Sequence, residues 1–217
     1  MIRACIFDLD GTLADSLSSI AYFANMALEK YGYAPINQEK YKVFVGDGAP
    51  ILVKRMMEQV GESSVEAGKQ VFAFFSREYE KDFMCKTMAY KGIMPLLKEL
   101  KKQGLLLGVL SNKPHAIAVQ VVEHMFGKGF FDVCYGADKD KPLKPDQTGL
   151  KMMLKEINVS GSECLYIGDT GVDMQTGKAG GAITVGVLWG FRGQEELQEN
   201  GADVIVSHPR EILAYIK

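Results

Sequence analysis

The sequence predicts an α/β fold: a doubly wound parallel sheet with an all-helical segment inserted after its first strand. Three observations lead there. Short apolar runs, rich in β-branched and aromatic residues, recur along the chain, as expected of parallel strands buried on both faces. From Ile93 onward helical patterns alternate with those runs, the order of βαβ units. Between the first run and the rest, residues 16–82 carry helical periodicity and no convincing strand.

ACIFDL, residues 4–9, is the first strand. Three helices follow: SLSSIAYFANMALEKYG, closed by Gly32; APILVKRMMEQVG, after a Gly-Asp-Gly turn; and SVEAGKQVFAFFSREYEKDF. The sheet resumes with the helix IMPLLKELKKQ, C-capped by Gly104, and the strand GLLLGVL. Pro114 suits the first turn of the helix PHAIAVQVVEHMFG, and FFDVCYG is the next strand. DQTGLKMMLKEIN starts at Asp146 as N-cap. ECLYIGD, AITVGVL and ADVIVS complete the sheet, with right-handed crossovers. The expected division is a core of residues 1–15 and 83–217 and a helical cap of residues 16–82. Hinges are expected near Leu13–Asp15 and Met84–Lys91.

Among 217 residues, 47% are hydrophobic and 24% charged, with a formal net charge of -2. That balance argues against a nucleic-acid or membrane partner. No apolar run approaches the roughly 20 residues of a membrane span, and the start lacks the pattern of a secretory leader. Cys5, Cys85, Cys134 and Cys164 form no CxxC pair and have no His at zinc spacing, so a reducing, cytoplasmic setting is expected. A monomer or homodimer is expected.

The chemistry lies at predicted strand ends, where open parallel sheets bind ligands. Asp8 ends the first strand, with Asp10 and Gly11 beyond it; Ser111, Asn112 and Lys113 follow GVL; Lys144 lies in a loop; Asp169 ends CLYIG. Asp173, four residues on, is placed to share a helical face with Asp169. Clustered carboxylates repel one another unless a cation joins them, and an oxygen-only set suits Mg²⁺. A phosphorus centre then fits: its oxygens meet the metal, Ser111 and Lys144. Asp8 is the candidate nucleophile, Asp10 the acid and then base, and Gly11 the sharp turn. Taken singly, DxD and GDTxxD are also common turn and helix-cap patterns; taken together and in order they point to a site.

DLDGTLADS, LSNK, LKP and GDTGVD resemble the four motifs of haloacid-dehalogenase-type phosphatases. The resemblance runs in order along the whole chain and implies a Rossmann-like core with a small helical cap. It further implies that Asp8 is phosphorylated, that Asp10 lends its backbone carbonyl to Mg²⁺, and that Asp169 is the other direct metal ligand. Asp173 would hold metal-bound water. Gly11, Ser111, Asn112 and Lys113 would bind the substrate, Ser111 and Asn112 at its phosphate, and Lys144 would neutralise it. FVGDGAPILVKRM and VLWGF further resemble the phosphoglycolate phosphatase subgroup. On that resemblance the partner is a small phosphorylated metabolite whose far end meets the cap, at the helix start Gly46-Asp47-Gly48 and at Lys54 or Arg55. Asp47 would repel an anionic substrate there, and Lys54 and Arg55 equally suit a solvated helix face.

Trp189 and Arg192 read as packing and surface residues, and His115, His124 and His208 are scattered. A sugar-phosphate mutase and a pyrophosphatase share the expected chemistry. A phospho-acceptor signalling domain also uses an Asp, Mg²⁺ and a Lys, but Asp10 and the inserted helices argue against it.

Overall fold

The computed structural model describes residues 1–216. β1 (Ala4–Phe7) is wholly buried. Ala4 and Ile6 join one apolar cluster, Cys5 and Phe7 another. A strand covered on both faces has no polar side, which is why its sequence does not alternate.

After β1 the chain passes β2 (Ala14–Asp15) and four helices: α1 (Leu17–Lys30), α2 (Gln38–Phe44), α3 (Ala49–Gln59) and α4 (Val65–Lys81). It returns through β3 (Met88–Ala89), which pairs antiparallel with β2. Next come α5 (Ile93–Lys102), β4 (Leu106–Pro114), α6 (His115–Phe126), β5 (Val133–Ala137) and α7 (Thr148–Glu156). Then follow β6 (Cys164–Gly168), α8 (Gly171–Ala179), β7 (Ile183–Val187), α9 (Gln194–Glu199), β8 (Val204–Val206) and a 3-10 helix over Pro209–Tyr215.

The six long strands lie in the order β5-β4-β1-β6-β7-β8, every neighbouring pair parallel. Apolar residues of α5 and α6 share the cluster on one face, and those of α7 the cluster on the other. The chain winds outward from β1 in both directions, so the switch point lies at the carboxyl ends of β4, β1 and β6, where such sheets bind ligands.

The helices between β2 and β3 have a shared interior. Phe23 of α1 meets Tyr79 of α4 edge-on, with ring centroids 5.5 Å apart. The Asn25 side chain accepts from Ile36 N (2.8 Å), donates to Ile36 O (2.9 Å) and accepts from the Tyr41 hydroxyl (2.7 Å), tying α1 to the loop before α2. Membership of one core is what makes short helices hold.

Several sequence expectations need correction. α2 was not expected; it is one turn longer than a bare turn and is capped by Asn37, which accepts from Glu39 N at 2.9 Å. β2 and β3 pair where hinges alone were expected. β4 does not stop at Leu110 but runs through Ser111, Asn112 and Lys113, with its register on β5 shifting between Leu110 and Pro114. Pro114 is the N-cap of α6 rather than its first residue. Gln147, not Asp146, caps α7, because the Asp146 carboxylate closes a tight turn onto Thr148 N at 2.7 Å.

β5 comes so close to the end of β4 that a Cβ on Gly136 would lie 2.6 Å from Lys113 O and His115 Cα, both backbone atoms. Backbone cannot rotate away, so Gly136→Ala is expected to cost about 1–3 kcal/mol. A lowered urea midpoint with an unchanged m-value would register it.

Candidate active site

Asp8 leaves the end of β1, its N–H donating to Ile167 O at 2.8 Å. Asp169 leaves the end of β6, and Asp173 sits in the first turn of α8. One oxygen from each of the three lies within 4.8 Å of the others, and all three residues are buried. From the loop between β5 and α7, Lys144 Nζ donates to Asp8 Oδ1 at 2.6 Å and Asp173 Oδ1 at 2.7 Å. No hydrogen bond engages Asp8 Oδ2 among the described residues.

Three buried carboxylates against one ammonium leave two negative charges uncompensated when all are ionised. Burial pushes Asp8 up from 3.8 to about 7, against the pull of Lys144 and with Asp173 adding to the rise. Burial, with Asp8 and Asp173 beside it, raises Asp169 well above the carboxylate range. Burial opposes charge on Lys144 too, but Asp173 and Asp8 outweigh it and hold the ammonium well above its ordinary value. A hollow of oxygen donors short of two positive charges fits a hard divalent cation.

Local sequence places each acid. Asp169 is pressed between two glycines: a Cβ on Gly11, whose φ is +98°, would fall inside its carboxylate, and one on Gly190 would collide with it. Asp169 accepts from Thr12 Oγ1 at 3.2 Å and Phe191 N at 2.8 Å. Asp173 and Thr170 form a capping box, Asp173 Oδ2 accepting from Thr170 N (3.1 Å) and Oγ1 (2.7 Å). The cap pattern and the cluster are therefore the same residues. Asp169 and Asp173 do not share a helical face as expected, because α8 begins only at Gly171; the turn between strand and helix brings them together.

Above the acids opens a cleft of about 280 Å³, lined by Asp8, Asp10, Ser111, Asn112, Lys113 and Lys144 from the core and by apolar residues of α1, α3 and α4. The Asp10 carboxylate is not part of the acid cluster. It accepts from Ser16 Oγ at 2.6 Å and pairs with Lys113 Nζ at 3.0 and 2.9 Å. Ser111 lines the cleft and accepts from Lys113 N at 3.2 Å. Asn112 is occupied otherwise than expected: Nδ2 donates to Gly46 O and Lys144 O at 3.0 Å each, and Oδ1 accepts from Lys144 N at 2.9 Å. Its side chain braces the Lys144 loop.

Arg55 is not brought to the cleft. It pairs with Asp47 at 2.6 Å and donates to Phe44 O at 3.0 Å, while Lys54 faces Glu58 on the surface. Gly11 underlies Asp169 rather than lining the cleft. Trp189 packs as expected, its Nε1 donating to Thr12 O at 2.9 Å. Arg192 is no surface residue: Nη2 donates to Val45 O at 2.9 Å, Nε pairs with Glu196 at 3.1 Å, and Nη1 is buried unpartnered among the described residues. Sequence reasoning missed Thr12, Ser16, Tyr79 and Gly190. Thr12 and Ser16 stand inside the first motif and Gly190 inside VLWGF, whereas nothing local marks Tyr79.

A profile described as haloacid dehalogenase-like hydrolase matches residues 5–187, a span that takes in all four acids, Ser111 and Lys144. The chain belongs to the haloacid dehalogenase-like hydrolases. Its relatives include the phosphoglycolate phosphatase of Pseudomonas savastanoi pv. phaseolicola, 32% identical over 207 residues, which are 94% of this chain and 76% of that one. The phosphoglycolate phosphatase of Vibrio parahaemolyticus is 28% identical, over 99% and 96% of the two chains. A solved structure from Lactobacillus delbrueckii subsp. bulgaricus, 30% identical, superposes with a TM-score of 0.93 over 99% and 98% of the two chains. No described helix of this hydrolase is long and apolar enough to cross a membrane.

The raised Asp8 fixes the sign of a pH effect. Native protein without a cation binds more protons than the unfolded chain between 3.8 and about 7. The cost of burying Asp8 ionised is thus present above that window and relieved as pH falls through it. Divalent cations need the carboxylates ionised, so the rise in melting temperature on adding Mg²⁺ is expected to be larger at about pH 8 than at about pH 5.5. Differential scanning fluorimetry with and without EDTA measures both.

Proposed function

We propose that this hydrolase is a phosphomonoesterase that works through phosphorylation of Asp8. The observation that carries this is a buried carboxylate with one oxygen held by Lys144 and the other unengaged at the floor of a cleft. Asp8, Asp169 and Asp173 would hold Mg²⁺, which when bound supplies positive charge against the phosphoryl oxygens. Lys144 fixes Asp8 and Asp173 together, so Asp8 Oδ2 is presented in one orientation. That oxygen forms the bond to phosphorus as the phosphorus–leaving-oxygen bond breaks, and Asp10 gives the leaving oxygen its proton. Water then attacks the phosphoaspartate, Asp10 takes its proton, and Asp8 is restored with release of phosphate. Ser111, at the cleft wall, offers its hydroxyl to a phosphoryl oxygen.

Residues 16–82 serve as a cap whose closure excludes bulk water and whose reopening releases product, with β2 and β3 at the crossing points. The substrate class is a small phosphorylated metabolite, phosphoglycolate being the one named by the relatives. Support for an anionic far end comes from α3: Gly48 and Ala49, at its amino end, line the cleft and offer backbone N–H groups. Asp47 no longer stands against this, because Arg55 neutralises it.

Asp8→Asn is expected to lower turnover roughly 10⁴-fold or more with little loss of folding. Released phosphate is measured across phosphoglycolate, hexose phosphates and pyrophosphate; near wild-type turnover by the variant would remove Asp8 as nucleophile. EDTA should silence the enzyme and Mg²⁺ restore it; turnover persisting in EDTA would defeat the metal assignment.

A further inference from the structure

We infer that Lys113 is a positioning residue for Asp10, and that Tyr79 of the inserted helices positions Lys113 in turn. This rests on the phosphomonoesterase reading and adds to it the means by which the proton-transferring carboxylate is held. Lys113 Nζ meets both Asp10 oxygens, at 3.0 and 2.9 Å. Its side chain is almost wholly buried, so the pair is barely screened. The ammonium lies 4.8 Å from the centroid of the Tyr79 ring, within cation–π range. Ser16 Oγ, at the start of α1, donates to Asp10 Oδ1 at 2.6 Å.

The grip has a specific origin. Lys113 comes from the core strand β4, Ser16 opens the first inserted helix and Tyr79 lies in the final turn of the last. Asp10 itself stands on the loop between core and insert, in a short bridge to Ala14. A carboxylate on such a loop, left alone, would sample several rotamers. Core and insert together leave it one. Lys113 does not belong to the substrate on this geometry, because its ammonium is already turned to Asp10 and Tyr79.

A positioning role and a binding role separate by leaving group. Phosphoryl transfer to Asp8 from 4-nitrophenyl phosphate releases a stable anion that needs no proton. Transfer from phenyl phosphate, almost the same size, leaves a more basic oxygen that needs the proton of Asp10. With Lys113→Met, kcat/KM for phenyl phosphate is expected to fall about 100-fold, the order lost with a misplaced general acid. For 4-nitrophenyl phosphate it should stay within about threefold, while kcat falls and phosphorylated enzyme accumulates, because hydrolysis of the phosphoaspartate still needs Asp10 as base. Acid quench and intact-mass measurement detect the added phosphoryl group. Tyr79→Leu should give the same pattern at smaller size, and carries the test if Lys113→Met does not fold. Equal losses on both esters, a raised KM with unchanged kcat, or unchanged kinetics in the folded variant would each overturn the inference. Wild-type failure to release phosphate from any ester would instead bring down the phosphomonoesterase reading, as would full activity of Asp8→Asn.

Discussion

Three carboxylates and one ammonium share a hollow that water scarcely reaches, and the rest of the molecule is arranged around that imbalance. Asp8, Asp169 and Asp173 would drive one another apart or take up protons if Lys144 were absent. Even with Lys144 the hollow stays short of positive charge. Such a site is costly to fold and is retained where a cation and an anionic ligand complete it. The parallel sheet meets the cost by anchoring Asp8 and Asp169 at strand ends and Asp173 in the first turn of α8, on backbone already fixed by six strands and their helices.

The close quarters show in the glycines. Gly11 and Gly190 come from loops far apart in sequence, yet both must lack a side chain for Asp169 to fit between them. Gly136 does the same for the backbone that carries Ser111, Asn112 and Lys113. Where main chain packs on main chain or on a buried carboxylate, no rotamer change can make room. The polar side chains near the centre are likewise committed to holding others: Asn112 braces Lys144, Thr170 braces Asp173, and Thr12 braces Asp169.

The inserted helices are joined to the core by few but directed bonds. Asn112 and Arg192 both donate to the Val45–Gly46 backbone, and Ser16 and Tyr79 converge on Asp10 and Lys113. These contacts cross the cleft itself. Any motion of the insert therefore changes the setting of the site as well as its access to water.

Much of this was legible in the residues. Runs such as ACIF and CLYIG announce buried parallel strands because a doubly covered strand has no polar face. Asp8, Asp10, Ser111, Lys144, Asp169 and Asp173 stand in order in local motifs, since strand ends and caps are local features that short patterns encode. Residue type alone did not reveal that Asn112 serves Lys144, that Arg55 is consumed by Asp47, or that Arg192 turns inward. Nor did it show Gly190 against Asp169 or Tyr79 over Lys113. Apart from Arg55 and Asp47, which are close in sequence, those pairings span tens to well over a hundred residues, and a long polar side chain can reach many partners until packing leaves it one. The sequence by itself determined the strands, the helices and the acids at their ends, because these follow from periodicity and chain-local chemistry. Which side chains face the cleft and which are turned to hold a neighbour was decided only by the tertiary structure, because that choice depends on what distant segments bring alongside.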